Sequence, residues 1–141
     1  EAFMRSVYTP EKIMASTPEQ IKMSMQYALG EWKESYQSWV DKWTALSKSS
    51  EYKNYAHAVH RVFLTFLETN FKEQVTAISV PSLIIWGELD AILPLTAARD
   101  LNNLIKNSEL LVFKGTGHFP MLTQHEQFNQ AVSKFLEKIK K

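Results

Sequence analysis

Apolar residues recur at helical spacing through the first half of the chain. Thr17-Pro18-Glu19-Gln20 is a helix start. Threonine sits at the N-cap, proline at the first helical position, and glutamine three residues on can return the cap's hydrogen bond. Ile21, Met25 and Leu29 then repeat every four residues, and Gly30 supplies a stop. Trp32, Tyr36, Trp39, Trp43 and Leu46 step by four, three, four and three, which keeps one apolar stripe along a second helix. A polar break follows at Ser47-Lys48-Ser49-Ser50, with Ser50 placed to cap a third helix. That helix carries Tyr52, Tyr55, Val59, Phe63, Phe66 and Leu67 and runs to about Asn70. A helix-like pattern also begins close to Glu1.

The pattern changes after residue 70. Val80-Pro81-Ser82-Leu83-Ile84-Ile85-Trp86 is a short apolar run closed by Gly87. Its length suits a strand buried on both faces rather than a helix, and proline is tolerated at a strand's beginning. Ala97, Ala98, Leu101, Leu104 and Ile105 predict a helix, and Leu110-Leu111-Val112-Phe113 a second strand. Lys114-Gly115-Thr116-Gly117 is a turn. Phe128, Val132, Phe135 and Ile139 mark a terminal amphipathic helix ending in lysines, with Thr123 as its cap and Glu126 as capping-box partner. Strand, helix, strand, helix predicts an α/β fold with a parallel pair joined by a crossover. Two parallel strands do not make a stable sheet alone. The chain is therefore expected either to meet further strands from another segment or to associate with copies of itself.

Composition narrows the chemistry. Sixteen Lys and Arg against fifteen Asp and Glu leave a net charge of +1, which gives no reason to expect nucleic acid or an anionic membrane as partner. The absence of cysteine excludes disulfides, thiolate catalysis and Cys-ligated zinc. No apolar run approaches the roughly 20 residues of a membrane span. The opening residues show no basic segment followed by an apolar one, so no signal peptide is expected in these residues, which says nothing of a longer parent's compartment; a cytoplasmic location is the expectation.

Asp90 lies just past the first strand and His118 just past the second. In open α/β sheets ligands bind beyond the carboxyl ends of the strands. Adjacent parallel strands would bring the carboxylate and the imidazole to one edge. There Asp90 can accept from Nδ1–H and leave the other nitrogen as a general base. His57 and His60 have a spacing that can hold a metal, but no third ligand accompanies them, and surface or cap packing is the expectation. The Trp32, Tyr36, Trp39 and Trp43 stripe suits helix packing, and one flank could line an acyl pocket. Glu88 is expected to face solvent or accept a local hydrogen bond. His125 is expected in the first turn of the last helix.

From about Phe71 to Leu136 the chain resembles the last two strands of an α/β-hydrolase. The tokens are apolar-Pro-x-apolar-apolar-apolar-x-Gly-x-x-Asp-x-x-x-Pro over Val80–Pro94, then Gly-x-Gly-His-x-Pro over Gly115–Pro120. The resemblance implies that Asp90 is the triad acid and His118 the triad base, with no metal and no cofactor. It implies that residues 1–70 are the helical cap or lid, and residues 71–141 the C-terminal part of the core. Within the family, Leu89-Asp90 with Leu93-Pro94 and the Gly-His-x-Pro stretch are similar to small bacterial carboxylesterases, including those that cleave pimeloyl esters. The family's nucleophile elbow, Gly-x-Ser-x-Gly, does not occur here. A serine nucleophile is the expectation, and these residues leave open an aspartate nucleophile in the missing elbow, as in haloalkane dehalogenases and epoxide hydrolases. Where the family often has Glu-x-Pro-Glu opening the last helix, this chain has His125 in place of proline. The resemblance therefore implies a chain that supplies acid and base, is inert alone, and has the N-terminal part of the same hydrolase as partner, with a small-molecule substrate. A non-catalytic interaction module and a self-associating truncated chain are the alternatives.

Overall fold

A computed structural model describes residues 9–140. These residues divide into two compact units, one of residues 9–25 with 33–70 and one of residues 26–32 with 71–140. The helix-like pattern at the chain's start falls in residues 1–8, outside the described ones.

The first unit is helical. A short helix α1 (Pro10–Met14) precedes α2 (Pro18–Leu29), whose final turn belongs to the second unit. The capping box at α2 forms: Thr17 N–H donates to Gln20 Oε1 at 2.8 Å, and Gln20 N–H to Thr17 Oγ1 at 3.3 Å. Gly30 closes the helix at φ +75°. The Trp-rich stripe begins helical structure later than its spacing suggests, with a 3₁₀ turn at Glu34–Tyr36 leading into α3 (Gln37–Ser47). Helix α4 (Tyr52–Glu68) follows. Ser50 does not cap it: the chain already winds through residues 49–51, Glu51 holds the N-cap position in helical conformation, and no side chain caps the first amides. Val40 and Ala56 are sealed from solvent, and Tyr52 is buried with them. That burial, with the neighbouring Tyr55, pushes the Tyr52 phenol above its ordinary pKa.

The second unit holds a short helix α5 (Lys72–Thr76), strand β1 (Ser82–Gly87), helix α6 (Leu95–Leu104) and strand β2 (Ser108–Phe113). Two further helices follow, α7 (Pro120–Thr123) and α8 (His125–Ile139). The strands pair in parallel, with Ile85 opposite Leu111 and Gly87 opposite Phe113. Helix α6 is the crossover and packs on both strands. Phe113, fully buried, meets Phe128 of α8 at 6.4 Å between ring centroids.

Leu83 to Trp86 are half-buried, not sealed on both faces as their unbroken apolar run suggests. The reason is that, among the described residues, β1 pairs with β2 alone. Leu83 and Leu111 also line an open groove with Phe135 of α8, about 470 Å³ in volume.

The terminal helix starts differently from expectation. Pro120 opens a turn of its own and draws Thr123 into it, so α8 begins at His125 with no side-chain cap. The Thr123–Glu126 capping box does not form.

Candidate active site

Two loops leave the C-terminal ends of β1 and β2 side by side. Glu88 N–H donates to Phe113 O at 2.9 Å, and Leu89 N–H to Thr116 O at 2.9 Å. The Glu88 carboxylate accepts from Gly115 N–H at 3.1 Å, so this exposed side chain is a local acceptor. The loops approach so closely that a Cβ on Gly87 would lie 1.9 Å from Gly117 O. Only glycine permits that contact.

Asp90 stands at the turn of the first loop. Its Oδ1 accepts from Ile92 N–H and Leu93 N–H, both at 2.9 Å, an Asx-type turn that holds the carboxylate in place. Trp86 Nε1–H donates to Leu93 O at 3.1 Å, and Tyr27 O–H to Ala91 O at 2.7 Å, so the loop is tied at both flanks. Oδ2 remains, and it lies 2.8 Å from Nδ1 of His118. The Asp90 side chain is only 3% exposed, whereas that of His118 is 29% exposed. A carboxylate in its ionised form only accepts, so with Asp90 in that form the bond needs the proton on Nδ1, and a neutral imidazole then keeps its lone pair on Nε2. One carboxylate thus divides its oxygens between backbone and imidazole.

The histidine loop is held from a third side by the end of α2. His118 N–H donates to Ala28 O at 2.6 Å and Gly117 N–H to Leu29 O at 3.0 Å. Carbonyls at a helix C-terminus have no partner within the helix, and here the loop amides supply one. A Cβ on Gly117 would sit 2.5 Å from Ala28 O. The Phe119 ring stands edge-on to the imidazole, centroids 4.9 Å apart. Sequence reasoning missed Tyr27, Ala28 and Leu29. Gly30 marks where α2 ends but carries no sign of what its last carbonyls meet.

The other candidates lie elsewhere. His57 is exposed and His60 half-buried on α4, and no group of three metal-ligating side chains occurs among the described residues. The aromatic stripe is divided. Tyr36 stacks on Trp39 at 4.9 Å and Trp43 meets Tyr55 at 5.6 Å within the first unit, while Trp32 belongs to the second. His125 is exposed in the first turn of α8.

Residues 1–124 match the family model described as the alpha/beta hydrolase fold. The chain belongs to the α/β-hydrolase fold family. Among curated proteins, it is 40% identical over 73 residues to a pimeloyl-[acyl-carrier protein] methyl ester esterase of Vibrio cholerae, which covers 51% of this chain and 29% of that protein. It is 37% identical over 68 residues to a 2-hydroxy-6-oxononadienedioate/2-hydroxy-6-oxononatrienedioate hydrolase of Pseudomonas putida, which covers 48% of this chain and 24% of that protein. Among solved structures, an esterase from Exiguobacterium antarcticum superposes with a TM-score of 0.71 at 20% identity, over 91% of this chain and 46% of that one. The chain thus spans about half the length of its structural neighbours in the α/β-hydrolase family. No helix of the described residues is long and apolar enough to cross a membrane.

Proposed function

We propose that Asp90 and His118 are the acid and base of a serine-type hydrolase of the carboxylesterase class, in which residues 9–25 and 33–70 form the cap region. The observation that carries this reading is the 2.8 Å hydrogen bond from His118 Nδ1–H to Asp90 Oδ2 beyond two paired parallel strands. Asp90 fixes the imidazole tautomer and stabilises the imidazolium when it forms. Nε2 takes the proton of the nucleophile's hydroxyl as that oxygen bonds to the ester carbonyl carbon. It then delivers the proton to the departing alcohol oxygen. In the second half-reaction Nε2 takes a proton from water, the water oxygen bonds to the acyl carbon, and the proton returns to the nucleophile. The Vibrio cholerae relative is named a methyl ester esterase, which supports an ester among possible carbonyl substrates.

The nucleophile is assigned to a part of the parent enzyme outside these 141 residues, because no Gly-x-Ser-x-Gly occurs in them. The half-length match to the structural neighbours supports this, as do the edge of β1 that no strand of the described residues pairs and the open groove beside Leu83, Leu111 and Phe135. The same edge would otherwise pair with a second copy of the chain. Loss of the nucleophile from such a triad costs about 10⁶ in kcat, so the chain alone is expected to be inert.

The test is ester hydrolysis by the chain alone and by the chain translated together with the coding sequence that precedes it, using p-nitrophenyl acetate and butyrate. The expected result is background hydrolysis alone, and saturable turnover when joined that His118→Ala abolishes and Asp90→Asn reduces by about 10⁴. Saturable hydrolysis by the chain alone, or a joined protein indifferent to His118→Ala, would overturn the reading.

A further inference from the structure

We infer that the hydroxyl pair Thr116–Thr123 is a clasp that positions His118, an inference that rests on the reading of His118 as the base. Thr116 is fully buried, and it is the one polar residue in the sealed core of the described residues. A buried hydroxyl without a partner is costly, and valine would fill the same space without one. The partner here is the Thr123 hydroxyl, seven residues further on.

Chemistry sets the direction of the bonds. Each hydroxyl has one proton to donate. Thr123 Oγ1 also lies 3.3 Å from Phe119 O, a carbonyl that can only accept. Thr123 therefore donates to Phe119 O, and its oxygen accepts from Thr116 O–H. This relay closes residues 116–123 into a ring with His118 inside it. The ring is anchored on both sides: Thr116 O accepts from Leu89 N–H at 2.9 Å, and His118 N–H donates to Ala28 O at 2.6 Å. The backbone bonds hold the histidine's Cα. The clasp holds the turn that follows it, and with it the direction in which the imidazole can lie toward Asp90. Thr116 and Thr123 touch no reacting atom in this account. They are positioning residues.

The test uses the whole chain and the His118 Nδ1–H proton, observed by ¹⁵N-edited NMR and assigned by its loss in His118→Gln. In the wild-type chain this proton is expected downfield and slow to exchange with water. Thr116→Val is expected to speed its exchange about tenfold, the size a single net hydrogen bond supports, and Thr116→Ser to restore the wild-type rate. Thr123→Val removes the same bond from the half-buried side, together with the Thr123 bond to Phe119 O, and carries the test if Thr116→Val does not fold. Unchanged exchange in a folded valine variant overturns the clasp and leaves the dyad standing. Absence of any protected Nδ1–H in the wild-type chain overturns the dyad itself, and the clasp with it.

Discussion

The helical unit and the paired loops of the second unit are built by different means. In the loops, backbone meets backbone. Amides of Glu88, Leu89, Gly117 and His118 all donate to carbonyls outside their own segment, and glycines let the chains close on one another. In the helical unit, order comes from apolar stripes and ring contacts such as Trp43–Tyr55, and α3 and α4 start without side-chain caps. That unit also leaves Val62 69% and Phe66 59% exposed. At Gly87 and Gly117 the loops approach their neighbours so closely that no side chain fits. The helices rest on side-chain area, which many residue combinations can supply.

The comparison can be broken where the histidine loop meets α2 by Gly117→Ala. The added Cβ meets backbone at 2.5 Å, so neither partner can swing away. A loss of stability of about 4 kcal/mol or more is expected in urea denaturation of the whole chain. Phe113→Ala, emptying a fully buried site against Phe128, should cost about 3–5 kcal/mol in the same titration. The counterpart in the helical unit is Val40→Ala, 1% exposed, with an expected cost of about 2 kcal/mol. Thr17→Ala removes one half of the α2 capping box and should cost about 1 kcal/mol, read as a lowered thermal midpoint. Phe66→Gln, at an exposed position, should change stability by no more than about 0.5 kcal/mol. A cost for Phe66→Gln comparable to that of Val40→Ala would mean that the outer face of α4 is covered in solution, and the contrast between the regions would narrow.

Much of this architecture was legible in the residues where a side chain does the structural work. Thr17 and Gln20 announce the start of α2, the short apolar runs announce the strands, and the places of Asp90 and His118 beyond those strands announce their meeting. What was not legible depends on main-chain groups that every residue type shares. Ala28 and Leu29 accept from the histidine loop through carbonyls, so their identities carry no trace of it. Tyr27 reaches Ala91 across 64 positions, and nothing local signals so long a contact. The local pattern at Thr123 fits a helix cap equally well. Pro120 and the buried hydroxyl of Thr116 decide otherwise. The half-burial of β1 follows from neighbours that a strand's own residues cannot report.

The seating of the histidine loop on the last carbonyls of α2 has a consequence for how this chain can change over time. Substitutions at positions 28 and 29 leave the accepting oxygens where they are, provided the new side chains fit. Adding one residue between Tyr27 and Ala28 is another matter. Each residue turns an α-helix by about 100°, so that insertion could not keep both the Tyr27 bond to Ala91 O and the seating of Gly117 and His118 on Leu29 O and Ala28 O. The final turn of α2 is thus free to vary in its spelling but not in its register.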